Sequence, residues 1–361
     1  MRWKRGHELP ATFPARWAAR LVAQGPTVRS SSFLRLAGLH AAETHYRQNR
    51  IQPPPCINMS FDLPRVSGIT VEDPLRDVRA MRCLPVVFEG SDASVVPDGV
   101  KDWAFFDGAM LSLVVITEAG YMAMGTIVMI APGLAITATH VVREHLGDLK
   151  KGNVQASCVG PSKAGLELWN VRAVSFDETS DIAYLSLERA SQIPEGWSIR
   201  TIPITTRAPK GGERLHIFGF RMSTHATDAD FGLTGNLFAA SGLVTAVHHP
   251  IRDAVLMPFP TIEIACGALG GMSGGAVLDD KGHLVGVVST SLGTEDGQGP
   301  TYAAWVVGAM GRKVHITWPP GIYPPSVRIV DIDQRLLHIE GREKVQTTGP
   351  DSYACEIWFD R

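Results

Sequence analysis

The chain has little of what would point to a membrane, a secreted scaffold or a nucleic-acid partner. Its most apolar region, Met122 to Ile136, is too short to span a bilayer and carries the turn Ala131-Pro132-Gly133 inside it, so it reads as two buried strands. The first 25 residues hold no unbroken apolar stretch, because Arg16 and Arg20 interrupt the only candidate, around Trp17 and Leu21. Export is therefore unsupported and a cytoplasmic location is expected, with the Arg-rich start leaving an organelle-targeting reading open. Cysteine is scarce and unpaired in pattern: Cys56, Cys83, Cys158, Cys266 and Cys355 are odd in number and never spaced as zinc or redox pairs, so free thiols are expected. A net charge of -2 gives no reason to expect a nucleic-acid partner.

What is present is glycine and proline, 36 and 24 residues, against 7% aromatics, which favours many turns and short strands over long helices. With 361 residues and 45% hydrophobic content the chain can bury a sizeable core. Residues 1–60 carry nine Arg or Lys in the first fifty positions against Glu8 and Glu43, then the run Pro53-Pro54-Pro55, and read as a poorly ordered arm. Residues 61–102 form a connecting segment broken by Pro64, Pro74, Pro85 and Pro97.

From Trp103 onward two series of strands are expected. The first, in residues 103–200, comprises Leu111 to Ile116, Met122 to Ile130, Leu134 to Thr137, Val171 to Ser175 and Ile182 to Leu187. The second, in residues 201–318, comprises Arg214 to Phe220, Leu243 to Val247, Ala254 to Met257, Ala276 to Asp279, His283 to Ser289 and Tyr302 to Val307. Asp280-Lys281-Gly282 joins two of these as a hairpin. Two successive β units of this size suggest two small barrels. The extension 319–361 begins Pro-rich and offers one more strand-like piece, Ile329 to Ile339. No internal repeat is legible.

The chemistry is concentrated in Gly270-Gly271-Met272-Ser273-Gly274-Gly275, four glycines around one serine. Such a segment bends sharply and lets the N–H groups of Gly271 and Ser273 converge beside the hydroxyl, as an acyl-transfer site requires. A Gly-rich hairpin entry with no chemistry would read the same way. The letters also fit the nucleophile elbow of α/β hydrolases, but that motif needs a strand before the serine and a helix after it, whereas Ala276 to Ser289 reads as a β hairpin.

Upstream, Ala135-Ile136-Thr137-Ala138-Thr139-His140-Val141-Val142 sets a histidine at the end of an apolar strand and the head of a helix-like stretch running to Leu149. A metal reading of His140, Glu144 and His145 fits no zincin spacing. In Thr179-Ser180-Asp181-Ile182-Ala183 an acid stands where a polar turn enters a strand, which is ordinary turn chemistry or a place from which a carboxylate can hold an imidazole.

Taken together, Gly125-Thr126, the Ala131-Pro132-Gly133 turn, Thr139-His140-Val141-Val142, Ser180-Asp181-Ile182-Ala183 and Gly271-Met272-Ser273-Gly274-Gly275 resemble a bacterial trypsin-like peptidase. The nearest flavour is the high-temperature-requirement type, without a PDZ module. The resemblance covers roughly residues 103–318. It departs from the family at Gly270, Met272 and Ala276, and at Ile264-Ala265-Cys266, where the family often has Thr-Asp-Ala. It implies an all-β chymotrypsin-like fold of two six-stranded antiparallel barrels, with His140, Asp181 and Ser273 as the catalytic triad in that chain order.

It further implies Gly271 and Ser273 as the oxyanion hole, and a specificity pocket at Gly267, Ser289 and Ala303 that favours small or medium apolar residues. No cofactor and no metal are implied, and the partner is a protein or peptide substrate. A regulatory partner or self-association through the arm or the extension remains open. The competing readings are a catalytically silent or signal-activated binding module, an esterase on the same site, and a weak metal site at His248-His249, whose side chains point to opposite faces of a strand.

Overall fold

A computed structural model of the chain describes residues 58–62, 67–71, 87–90, 106–117, 120–162, 165–176, 179–193, 198–226, 231–292, 299–349 and 352–359. The expectations for residues 1–57, including the arm, and for the thiols Cys56 and Cys83 lie outside these residues. The three described cysteines, Cys158, Cys266 and Cys355, are free thiols. Among the described residues no helix is long and apolar enough to cross a membrane.

The first barrel is built from β1 (Met110–Thr117), β2 (Gly120–Ala131), β3 (Leu134–Thr137), β4 (Gln155–Ser162), β5 (Gly165–Phe176) and β6 (Ala183–Arg189). The second uses β7 (Arg214–Ala226), β8 (Phe231–His248), β9 (Thr261–Ile264), β10 (Ala276–Leu278), β11 (Leu284–Ser291) and β12 (Thr301–Trp305). Pairing is antiparallel throughout both barrels, and each closes on itself, through β5 with β6 and through β10 with β11. Closure leaves neither barrel with an unpaired edge of its own. This is the chymotrypsin-like fold that the resemblance implied.

Numbered within its own barrel, each set of strands follows the same cyclic order, 1-2-3-6-5-4. The chain is thus built twice on one plan, although no repeat is legible in the letters.

Burial explains the sequence patterns. β1, MLSLVVIT, is buried along almost its whole length, so it reads as a continuous apolar run, and its one polar interior residue, Ser112, donates to Gly125 O at 3.3 Å. β5 alternates buried with partly exposed positions along Gly165 to Val171, the pattern of a strand with one wet face. One hydrophobic cluster runs through both barrels, and a small satellite of Val114, Ile116 and Val159 sits on an outer face of the first.

Two expectations are corrected. Ala254 to Met257 is a bent loop instead of a strand, and the strand of that part of the barrel is β9, Thr261–Ile264. The cause is Asp253, whose Oδ1 accepts the N–H groups of Val255 at 2.9 Å and Leu256 at 2.6 Å and folds the segment onto itself. Ile329 to Ile339 is a 3-10 turn at Ile329–Asp331 followed by further turns, and only Ile339–Glu340 is extended. There Arg342 gathers the carbonyls of Val330, Ile332 and Leu337, which irregular backbone would otherwise leave unpaired.

The extension packs back on the barrels. Ile339–Glu340 pairs with Ile204–Thr205, which itself pairs with the start of β11. Val345–Gly349 and Ser352–Glu356 form a sheet with Asn58–Asp62. Tyr323 donates its hydroxyl to Pro132 O at 2.7 Å, which covers the turn between β2 and β3.

The barrels meet at a buried threonine. Thr126, fully buried on β2, accepts the Phe220 N–H of β7 at 2.7 Å through Oγ1, and its own N–H donates to Ser273 O at 2.8 Å. Thr126→Val keeps the shape but removes the acceptor that faces Phe220. It is expected to lower unfolding free energy by about 1–2 kcal/mol in urea or guanidinium titration; an unchanged midpoint would show that this cross-barrel bond contributes nothing.

Candidate active site

His140 sits on the first helical turn after β3. Ala138 is still extended, and the helix α1 (Thr139–Arg143) begins directly after it, followed by α2 (Leu146–Lys151). Asp181 stands on the loop into β6 and is tied to the same turn by Thr139 N–H donating to Asp181 O at 3.2 Å. Its carboxylate takes three donors. Oδ1 accepts the His140 backbone N–H at 3.0 Å, and Oδ2 pairs with His140 Nδ1 at 2.8 Å and accepts the Ser289 hydroxyl at 2.6 Å.

A carboxylate beside Nδ1 makes that nitrogen the protonated one and leaves Nε2 with its lone pair. The Asp181 side chain is 12% exposed and the imidazole 44%, so the acid is sheltered while the ring opens to solvent.

Ser289 comes from β11 of the second barrel. The sequence placed it only in a pocket wall, and its bond to Asp181 was missed because nothing local marks a strand serine as the partner of an acid 108 positions away.

Ser273 lies on the loop before β10, held against the first barrel by its carbonyl bond to Thr126 N–H. Gly274 has φ +82°, and a Cβ there would overlap Thr137 Oγ1 and Thr126 O, so only glycine fits. Gly274 N–H donates to Val288 O at 2.8 Å, one residue before Ser289, so the serine loop and the Asp181 partner share one piece of backbone.

Within the loop the donors divide. The N–H groups of Met272 and Gly275 are used by Leu269 O and Met272 O, whereas those of Gly271 and Ser273 make no hydrogen bond among the described residues. Gly271 has φ +94°, which turns its amide out of the loop's own network. Met272, 1% exposed, anchors the loop from beneath. No hydrogen bond joins Ser273 Oγ to the His140 ring in this state.

The cleft beside the histidine has a volume of about 390 Å³ and is bordered by His140, Arg143, Asp181, Ser289, Leu292 and the loop Val255 to Phe259. Val255 and Leu256 are 84% and 66% exposed on its rim. Asp253 shapes this loop, and the N–H groups of Leu256 and Val255 hold its carboxyl down to about 2. Of the expected pocket residues, Ser289 borders the cleft and Gly267 is partly exposed. Ala303 is fully buried, with its methyl among Gly286 and Ile262 in the barrel wall, so it is not brought to the cleft. Burial pushes the Cys266 thiol, next to Gly267, up to about 11.

A second Ser-His-Asp chain exists and differs instructively. His216 meets Ser241 Oγ at 2.6 Å through Nδ1 and Asp280 Oδ1 at 2.9 Å through Nε2. Ser241 is paired with His216 across the β7–β8 ladder, inside a continuous strand, with no glycine loop to turn amides toward an oxyanion. This set links strands. His248 meets Glu263 at 3.3 Å on the neighbouring strand β9.

Residues 124–287 match the family profile of the trypsin-like peptidase domain. That stretch includes His140, Asp181 and Ser273. No curated protein matches the chain by sequence.

Among solved structures it is similar to the HtrA-type protease AlgW, with 15% identity, a TM-score of 0.37, and coverage of 56% of this chain and 58% of that one. Deg5 gives 17%, 0.39, 56% and 87%, and a serine endoprotease from Yersinia pestis gives 17%, 0.37, 56% and 61%. The chain therefore spans little more than half the length of the AlgW chain. Scores this low carry no weight beside the strand order.

Gly274→Ala is expected to lower stability by roughly 2–4 kcal/mol, since the new methyl overlaps first-barrel atoms and φ is positive. A thermal melt unchanged from wild type would mean that the serine loop does not press against β2 and β3 as described.

Proposed function

We propose that this chain is a serine endopeptidase in which Ser273 attacks the peptide carbonyl, His140 moves the proton and Asp181 holds the imidazole. The observation that carries this reading is the convergence at the seam of the barrels. A three-donor carboxylate fixes His140, and the serine loop beside it leaves the Gly271 and Ser273 amides without a hydrogen bond among the described residues.

In the proposed reaction, Ser273 Oγ bonds to the carbonyl carbon as its proton passes to His140 Nε2. The two amides stabilise the negative oxygen. Collapse breaks the C–N bond, and the proton on Nε2 goes to the leaving amine. Water, deprotonated by the same nitrogen, then attacks the acyl-enzyme and releases the acid with Ser273 restored. Metal and cofactor play no part in this scheme.

The residue before the cleaved bond is read as small or medium and apolar, received near Gly267 and Ser289, where no side-chain charge is contributed by either. The apolar rim at Val255, Leu256 and Leu292 supports apolar contacts further along the substrate.

The second reading, a silent or signal-activated double barrel, is favoured by one feature, the unmade hydrogen bond between Ser273 and His140. Resting hydrolases often leave this bond long until substrate arrives, so the feature fits both. An esterase would use the same atoms and is distinguished by comparing ester with peptide substrates.

The test is labelling by a fluorophosphonate probe. Wild type is expected to label, and Ser273→Ala and His140→Ala to lose labelling and at least about 10⁴-fold in turnover. A folded wild type that never labels would overturn the catalytic reading in favour of the silent module. Ser289→Ala, which removes one donor from Asp181, is expected to lower kcat/KM about tenfold, as loss of a hydrogen bond to a charged group does; full activity in this variant would show that the third donor is dispensable.

A further inference from the structure

Away from the cleft, the turn between β10 and β11 gathers a different set of ionisable groups. Asp279 closes this turn, with Oδ1 accepting the N–H groups of Lys281 at 3.0 Å and His283 at 2.9 Å. Its Oδ2 lies 3.7 Å from His283 Nδ1, and the same nitrogen lies 3.3 Å from Glu340 Oε2. Glu340 belongs to the extension, in Ile339–Glu340, so the three side chains come from two parts of the chain brought together by folding. Their donor atoms all fall within 4.8 Å of one another.

The histidine nitrogen is the informative atom. His283 Nδ1 is buried and makes no hydrogen bond, although two carboxylate oxygens flank it. A buried nitrogen that meets its neighbours only at ion-pair distance, with no directed hydrogen bond, is poorly satisfied, and an ion between the three side chains would meet it better. Both carboxylates are also held by a further side chain, on the oxygen that faces His283. Thr205 Oγ1 donates to Glu340 Oε2 at 2.7 Å, and Arg207 Nη2 reaches Asp279 Oδ2 at 3.2 Å while its guanidinium is chiefly engaged by Glu213 at 2.5 and 2.8 Å. Outer partners that orient ligating carboxylates in this way are a regular part of metal sites.

We propose that Asp279, His283 and Glu340 form a site for a divalent transition-metal ion, with zinc favoured by the mixed nitrogen and oxygen donors. Tetrahedral zinc with bonds of about 2.0–2.2 Å needs donors roughly 3.3–3.6 Å apart, which the two distances from His283 nearly meet. The ion would take the Nδ1 lone pair and one oxygen from each carboxylate. Water, or His338, whose ring centroid lies 6.3 Å from that of His283, would complete the set. Lys281 Nζ, 3.6 Å from Glu340 Oε1 and half exposed, competes for the same charge and can turn to solvent. The ion would staple the extension to the second barrel and leave the cleft untouched.

The experiment uses the full chain carrying Ser273→Ala and His140→Ala, which stops autolysis and removes the cleft histidine as a rival zinc ligand. Zinc chloride is titrated by calorimetry and thermal melts are recorded in parallel. Saturable binding of one ion per chain with a rise in Tm is expected, weakened at least about tenfold by His283→Gln and by Glu340→Gln, with circular dichroism confirming unchanged strand content. Lys281→Met, which removes the ammonium beside Glu340 and leaves all three ligand side chains in place, is expected to tighten binding several-fold. Absence of saturable binding, binding indifferent to both ligand variants, or no tightening on loss of Lys281 would overturn the site.

Discussion

The structure depends on a backbone contact for which there is no side-chain room. Gly274 lies directly against Thr126 O and Thr137 Oγ1, so the serine loop of one barrel touches the backbone of the other. From that contact the rest follows geometrically. Ser273 O meets Thr126 N–H, Gly274 N–H meets Val288 O, and Ser289, next along β11, reaches Asp181. A residue with a Cβ at position 274 would move the serine, its amides and the acid's third donor together, because all are attached to the same few atoms of backbone.

Asp181 shows how one carboxylate can tie together elements of both barrels. One of its oxygens secures the start of α1, and the other holds the imidazole and a hydroxyl from the far barrel. With three donors and little exposure, the charge is compensated locally by hydrogen bonds. The His216 chain has comparable hydrogen-bond lengths and no such consequence, since its serine is locked in a ladder. What separates the two sets is the glycine loop and its unspent amides, and not the presence of three residue types.

Much of this was legible in the letters because the signals are local. Gly270 to Gly275 announces a sharp loop, His140 ends an apolar strand, and Asp280-Lys281-Gly282 marks the hairpin that β10 and β11 make. Ala254 to Met257 misled because four apolar or small residues look extended, and the decisive atom, Asp253 Oδ1, precedes them. Thr261–Ile264 and Gln155–Ser162 were overlooked as strands, the latter because Gly160 and Pro161 read as a break although they are paired to Glu167 and Leu166. The doubled plan left no trace in the sequence, since a barrel constrains burial and closure and leaves the identity of apolar residues free. Ser289 and the trio of Asp279, His283 and Glu340 were hidden for another reason, as they are defined by long-range contacts.

The sheet formed by Asn58–Asp62, Val345–Gly349 and Ser352–Glu356 places strands from opposite ends of the described chain side by side, with Asp62 paired to Ser352. Closing so large a loop is entropically expensive and cannot be assisted by neighbours in sequence. During synthesis every strand of both barrels is made before Ser352–Glu356, so Asn58–Asp62 is without that partner until all the barrel strands are present. The last strand to be made is thus the one that holds the first in place.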